Sequence, residues 1–246
     1  MNVSLYQAAS GMNATSRWPE VISENLAASQ VPGFKRQDVS FESVSAGLGP
    51  LLNSSGPGYV QPRAITSTDF SPAAVRSTNV KTDLAIEGNG FFAVQLPSGE
   101  VGYTRDGEFH RSPSGQLVTK QGYSVLGEGG PIQLNANDPE LSISSTGEIS
   151  QKAGVLGKVR VVDFSNPQLL TPVGGGNFVA QNPGLKSRDV DAPIVRQGYL
   201  ELANSNSVAE MAHMITALRM FEMNQRVAVS QDERMGKMIS ELSAGN

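Results

Sequence analysis

A chain of 246 residues is long enough to bury one large core or two modest ones, and a net charge of −4 gives no electrostatic grip on nucleic acid or an anionic membrane. The lack of cysteine removes disulfides, thiolate nucleophiles and Cys-based zinc sites. Apolar residues at 39%, charged residues at 17%, 26 Gly and 14 Pro describe a turn-rich chain without the high net charge of a fully disordered one.

The opening Met1-Asn2-Val3-Ser4-Leu5 has neither a basic stretch nor a long apolar one, so no cleaved signal peptide is expected, and no segment approaches a membrane span. Asn2 is placed to cap a first helix reaching about Ser29 and ended by Pro32-Gly33. Leu5, Met12 and Leu26 fall on seven-residue multiples, with Ala8, Thr15, Ile22 and Ser29 three places later, a thin heptad-like stripe. Pro19 inside it predicts a kink or the start of a new segment, because it has no N–H to donate.

Gly47–Gly58 reads as a flexible connector. Beyond it, Asp83–Ile86, Gly90–Leu96, Gln116–Thr119 and Gly157–Val162 read as strands. Turn signals at Pro97-Ser98-Gly99, Arg105-Asp106-Gly107, Pro113-Ser114-Gly115 and Thr146-Gly147 separate them, which argues for antiparallel structure. Gly88-Asn89-Gly90-Phe91-Phe92-Ala93 matches G-x-G-x-x-A, but a dinucleotide site needs a helix to open there. The aromatic and β-branched residues that follow predict a strand, so the motif is read as a glycine turn.

At the C-terminal end, Ser207-Val208-Ala209-Glu210 has capping-box spacing. Met211, Met214, Leu218, Phe221, Ala228, Met235, Ile239 and Leu242 then keep a 3,4 rhythm, interrupted by Gln225 and Asp232. A helix over Ser207–Ser243 would be roughly 55 Å long at 1.5 Å per residue, more than a domain of this size can cover. Its apolar stripe therefore needs a partner beyond its own core.

Catalytic chemistry is hard to find. His110 and His213 have no second ligand at metal spacing, no G-x-S-x-G elbow is present, and Asp138 and Glu140 flank Pro139 as a polar turn would.

Three groups of residues share a resemblance. Ser4–Met12 (SLYQAASGM), Val21–Ala27 (VISENLA) and Pro32–Arg36 (PGFKR) lie at one end, and Asp83–Phe92 (DLAIEGNGFF) and Tyr103–Gly107 (YTRDG) in the centre. Gly198–Asn206 (GYLELANSN), Glu210–Ile215 (EMAHMI) and Phe221–Asn224 (FEMN) stand at the other end. In this order the motifs resemble those of the flagellar rod and hook family across nearly the whole chain. The chain departs from the pattern at Pro19 and at Ala28-Ser29-Gln30.

The resemblance implies a subunit of a helical tube in the cell envelope that transmits torque from motor to hook. The terminal helices would pair along the inner wall with the β-domain outside. It also implies a periplasmic place in the basal body, reached through the flagellar type III export apparatus without signal cleavage. The implied partners are copies of the chain and neighbouring rod proteins, with no cofactor, metal, nucleic acid or membrane insertion. Gly127–Ile132 and Met220–Met223, with no long insertion after Arg36, are more similar to a proximal than to a distal rod protein.

The fold class expected is α+β, with paired N- and C-terminal long helices and a mainly antiparallel β middle domain. Residues 1–36 and 205–246 would form the assembly domain, 37–80 and 185–204 the connecting segments, and 81–184 the outer β-domain. Leu5, Met12, Ile22, Leu26, Met211, Met214, Leu218 and Phe221 are the candidate seam between helices and subunits. A soluble envelope-binding module would want clustered aromatics in the middle, and a peptidoglycan enzyme a catalytic pair. Neither is found, and the single Trp18 falls in the first helix.

Overall fold

The computed structural model describes residues 3–46, 59–135, 138, 140–182 and 184–244, although the side chains of 3–10, 14, 44–46, 59–61, 239 and 241–244 are not among them. The capping role read for Asn2 and the connector read at Gly47–Gly58 lie outside the described residues. The chain divides into two compact units. A terminal unit takes Met1–Ala27, Gln37–Thr68 and Asn206–Asn246, and a β unit takes Ala28–Arg36 and Asp69–Ser205.

In the terminal unit, helix α1 (Val3–Ala27) and helix α2 (Ser207–Ala244) accompany an antiparallel hairpin of β1 (Gln37–Ala46) and β2 (Tyr59–Thr68). α1 continues through Pro19 as one helix. Asn25 fixes the start of the hairpin: its carboxamide donates to the Gln37 carbonyl at 2.8 Å and accepts the Gln37 N–H at 2.9 Å. Trp18 meets Phe41 of β1 edge-on, with ring centroids 6.0 Å apart. α2 is capped one residue earlier than its sequence suggests. The Asn206 side-chain oxygen accepts the Val208 and Ala209 amides at 3.0 and 3.3 Å, as an N-cap does.

This architecture corrects the expected fold class. The chain is mostly β-sheet, with one long C-terminal helix and a shorter N-terminal one, and not a pair of long terminal helices. α1 has 25 residues against 38 in α2, about 37 Å against 57 Å of helix. Its apolar stripe is thin, and the chain turns out of the helix before Pro32-Gly33. α1 therefore matches only part of α2, which it touches through Asn224 Nδ2 and Thr15 Oγ1 at 3.3 Å. Most of the bulky β-branched and aromatic residues go into strands instead.

The β unit begins with β3 (Val75–Ser77), β4 (Leu84–Glu87), β5 (Phe91–Gln95), β6 (Val101–Thr104) and β7 (Phe109–Arg111). It continues with β8 (Leu117–Thr119), β9 (Ser124–Gly127), β10 (Gly130–Pro131), β11 (Ser142–Ile143), β12 (Glu148–Gln151) and β13 (Gly154–Lys158). β14 (Val161–Phe164), β15 (Thr171–Gly174), β16 (Asn177–Val179), β17 (Ser187–Asp189), β18 (Ile194–Gln197) and β19 (Tyr199–Glu201) complete it. The largest sheet runs β15-β16-β6-β5-β9-β8-β7, with β14 also on β5, β17 on β14 and β10 on β9. β11-β12-β13, β18-β4 and β19-β3 form smaller sheets, and every pairing is antiparallel.

β5 explains why its sequence is apolar without alternation. Phe92 and Val94 enter one core with Leu117, Val125 and Ile149, while Phe91 and Ala93 enter another with Tyr103, Phe164 and Phe178. A strand buried on both faces carries apolar residues at every position. The glycine turn before it is real: Gly88 and Gly90 have φ of 94° and 118°, and Phe91–Gln95 is strand, not helix.

Candidate assembly surface

α2 carries an inward row with an unbroken 3,4 repeat. Between Met211 and Met238, its described residues that escape full exposure are Met214, Ala217, Phe221, Asn224, Ala228, Gln231 and Met235. That spacing is a coiled-coil seam, but Asn224 and Gln231 put polar groups in it and Ala217 and Ala228 keep it shallow. The larger apolar side chains lie on either side. Met211, Ile215 and Leu218 form one exposed flank, and Met220, Met223 and Val227 the other.

The sequence-derived seam thus splits. Ile22 is buried, and Met12, Leu26, Met214 and Phe221 are half-buried. Met211 and Leu218 remain 53% and 49% exposed. The Leu5 side chain lies outside the described residues. The phase of the inward row is set by Ala217, which has no accessible surface, and not by its neighbour Leu218.

The three motif groups also meet inside the β unit, at residues whose role the sequence alone did not reveal. Lys35 Nζ donates to Glu201 Oε1 at 2.7 Å and to the Ser71 carbonyl at 2.7 Å. Arg105 reaches Glu201 Oε2 at 3.3 Å and the Gly88 carbonyl at 2.7 Å, and its guanidinium stands over the Phe91 ring at 5.3 Å. All three charged side chains are more than nine-tenths buried. Burial lowers the pKa of Lys35 and of Arg105, and Glu201 opposes both shifts. Such a cluster joins distant segments and is closed to solvent, so it offers no reacting group to a substrate.

Gly33 shows how tightly the first motif is seated. Its φ is 66°, its N–H donates to the Glu201 carbonyl at 2.8 Å, and a Cβ there would overlap the Arg105–Asp106 peptide. The apparent turn at Arg105-Asp106-Gly107 is a buried kink: Asp106 Oδ1 accepts the Glu108 N–H at 2.9 Å, and burial raises its pKa to about 6. The signal available in the sequence was faint: Glu201 is a lone charge between Leu200 and Leu202, but Lys35 is followed by Arg36 and Arg105 by Asp106.

The other candidates have structural surroundings. His110 is exposed, and His213 Nδ1 lies 3.9 Å from Glu210. Asp138 accepts the Glu140 and Lys152 amides at 3.0 and 2.7 Å, which shapes a turn. No grouping of metal-ligating side chains occurs among the described residues, and no helix there is long and apolar enough to cross a membrane.

Two stretches of the chain match known protein families. Residues 85–151, from β4 through β12, match the flagellar hook protein FlgE/F/G D1 domain. Residues 196–241, which include Glu201 and most of α2, match the flagellar basal body rod FlgEFG protein C-terminal region. The flagellar basal-body rod protein FlgG of Borreliella burgdorferi is 33% identical over 267 aligned residues, covering 95% of this chain and 96% of its own. FlgG of Buchnera aphidicola subsp. Acyrthosiphon pisum is 31% identical over 261, covering 96% and 98%. FlgF of Escherichia coli K12, also named a flagellar basal-body rod protein, is 30% identical over 253, covering 96% and 97%. These relatives are structural proteins of the flagellum. The chain belongs to the flagellar basal-body rod protein family and is a structural subunit of the rod.

Proposed function

We propose that this subunit works by axial self-assembly, using the two exposed apolar flanks of α2 as its contacts with neighbouring copies and adjoining rod proteins. One observation carries the reading: Met211, Ile215 and Leu218 on one side of the inward row, and Met220, Met223 and Val227 on the other, face water in the single chain. Burying such side chains contributes roughly 1.5–3 kcal/mol each, set against the entropy of ordering them. A helix apolar on three sides is a helix with neighbours on more than one side.

In this reading the terminal unit is the assembly domain, and Leu5, Met12, Ile22, Leu26, Met214 and Phe221 serve the same contacts from within and beside it. The subunit transmits torque, performs no catalysis and holds no cofactor. It reaches the periplasmic part of the basal body through the flagellar export apparatus.

The proximal part of the rod is the position favoured. Its support is the resemblance at Gly127–Ile132 and Met220–Met223 and the lack of a long insertion after Arg36. A distal position is the second reading, supported by the FlgG names of several relatives. Electron microscopy of basal bodies from a strain lacking the gene tests both. Loss of the rod beyond its base supports the proximal place, and a rod truncated near its outer end supports the distal one. Complete basal bodies in motile cells would refute the assembly role.

A further inference from the structure

The chain passes between its two units four times: after Ala27, Arg36, Thr68 and Ser205. Three of these passages root in one hydrogen-bonded patch of the β unit. Asn204 Oδ1 accepts the Arg36 N–H at 2.7 Å, and Asn204 Nδ2 donates to the Asp69 carbonyl at 2.7 Å. The Asp69 N–H donates to the Arg36 carbonyl at 2.8 Å, and the Asn204 N–H reaches the Phe34 carbonyl at 3.3 Å. The single carboxamide therefore bridges the chain just before β1, just after β2 and just before α2.

Glu201, three residues earlier, secures the same three segments from buried positions. Its carboxylate takes Lys35 and the Ala73 N–H, the latter at 2.9 Å, while its carbonyl takes the Gly33 N–H. Lys35 in turn holds the Ser71 carbonyl. We propose that Asn204 and Glu201 form a lock that makes the roots of β1, β2 and α2 one rigid body within the β unit. A carboxamide suits this place because it supplies one acceptor and two donors in a fixed plane, and here both kinds are used. Without the lock, three separate linkers would carry any twist applied to the chain; with it, three of the four passages move together. The lock is internal to the β unit and stands independently of the contacts proposed for α2.

Amide hydrogen exchange on the full-length chain tests it, comparing the parent with Asn204→Ala and Asn204→Asp. In Asn204→Ala, the amides of Arg36, Asp69 and Ala73 should lose protection by about tenfold or more, while those of β5 and β14 keep theirs. Asn204→Asp keeps the acceptor for Arg36 and loses the donor to Asp69, so Asp69 and Ala73 should be released ahead of Arg36. Unchanged protection at Arg36, Asp69 and Ala73 in Asn204→Ala would overturn the lock. Equal loss throughout β5 and β14 would also overturn it, making Asn204 a residue of general stability.

Discussion

The Lys35 ammonium and the Glu201 carboxylate meet at 2.7 Å across 166 positions of sequence, and each is almost wholly buried. Removing one member leaves a charge in the interior without its counterpart, the costly way to break a buried pair. Glu201→Gln strands both Lys35 and Arg105 and is expected to cost about 3–5 kcal/mol in urea unfolding of the β unit. Lys35→Met should cost less, since Arg105 still balances the carboxylate. The double variant should fall short of the sum of the two, because the stranded lysine is gone. Strict additivity would mean that the two residues do not act as a pair.

Gly33 and Gly88 separate backbone conformation from crowding. Both have positive φ, 66° and 94°, but a Cβ at Gly33 would overlap the Arg105–Asp106 peptide, whereas Gly88 has nothing within 4 Å of that position. Gly88→Ala should cost about 1–2 kcal/mol from the left-handed conformation alone. Gly33→Ala adds overpacking against rigid backbone and should reach about 2–5 kcal/mol. Thermal unfolding of the two variants decides the point, and equal losses would show that the segment before Arg36 can shift away from the kink.

Asp106 is expected to make the β unit sensitive to pH. Burial is the main reason its pKa rises to about 6, with Glu108 and Asp83 adding repulsion, while Lys120 and the Glu108 N–H act the other way. A carboxyl that holds its proton more tightly when folded favours the fold as pH falls from above 6 toward the ordinary 3.8, and the cost of burying its charge is present in full above 6. Asp106→Asn keeps an oxygen for the Glu108 amide and removes that charge. Its stability relative to the parent should therefore rise between pH 4 and pH 7.5, by up to about 3 kcal/mol at roughly 1.4 kcal/mol per pKa unit. A difference that does not change with pH would mean that Asp106 titrates as an ordinary aspartate.

What was legible in the sequence was local. Phe91–Gln95 and Leu117–Thr119 appear where apolar, β-branched runs meet glycine turns, and α2 ends one residue beyond its predicted limit. Gly157–Val162 reads as one strand but is divided between β13 and β14. Val159 and Arg160 donate instead to the Gly147 and Leu126 carbonyls, partners that periodicity cannot show. The pairing of β1 with β2 was missed because Gln37–Ala46 and Tyr59–Thr68 are rich in Ser, Thr and charge, and their support comes from α1. Lys35, Arg105 and Glu201 were legible as motif positions only, since their chemistry exists once distant segments meet.

Leu218 and Ala217 are adjacent on α2 and should fail in opposite ways. Ala217 lies in the inward row with no accessible surface, so Ala217→Asp places a charge inside the terminal unit and should lower the helical signal of the isolated chain. Leu218 is about half exposed, so Leu218→Asp should leave both the helix and the β unit unchanged in circular dichroism. Its effect should appear only when subunits meet, where the carboxylate would be buried against an apolar neighbour without a counter-charge. Cells carrying Leu218→Asp are expected to make the protein, lack rods in electron micrographs and lose motility. Intact rods built from that variant would show that this flank of α2 faces solvent in the assembly, leaving Met220, Met223 and Val227 as the side that binds.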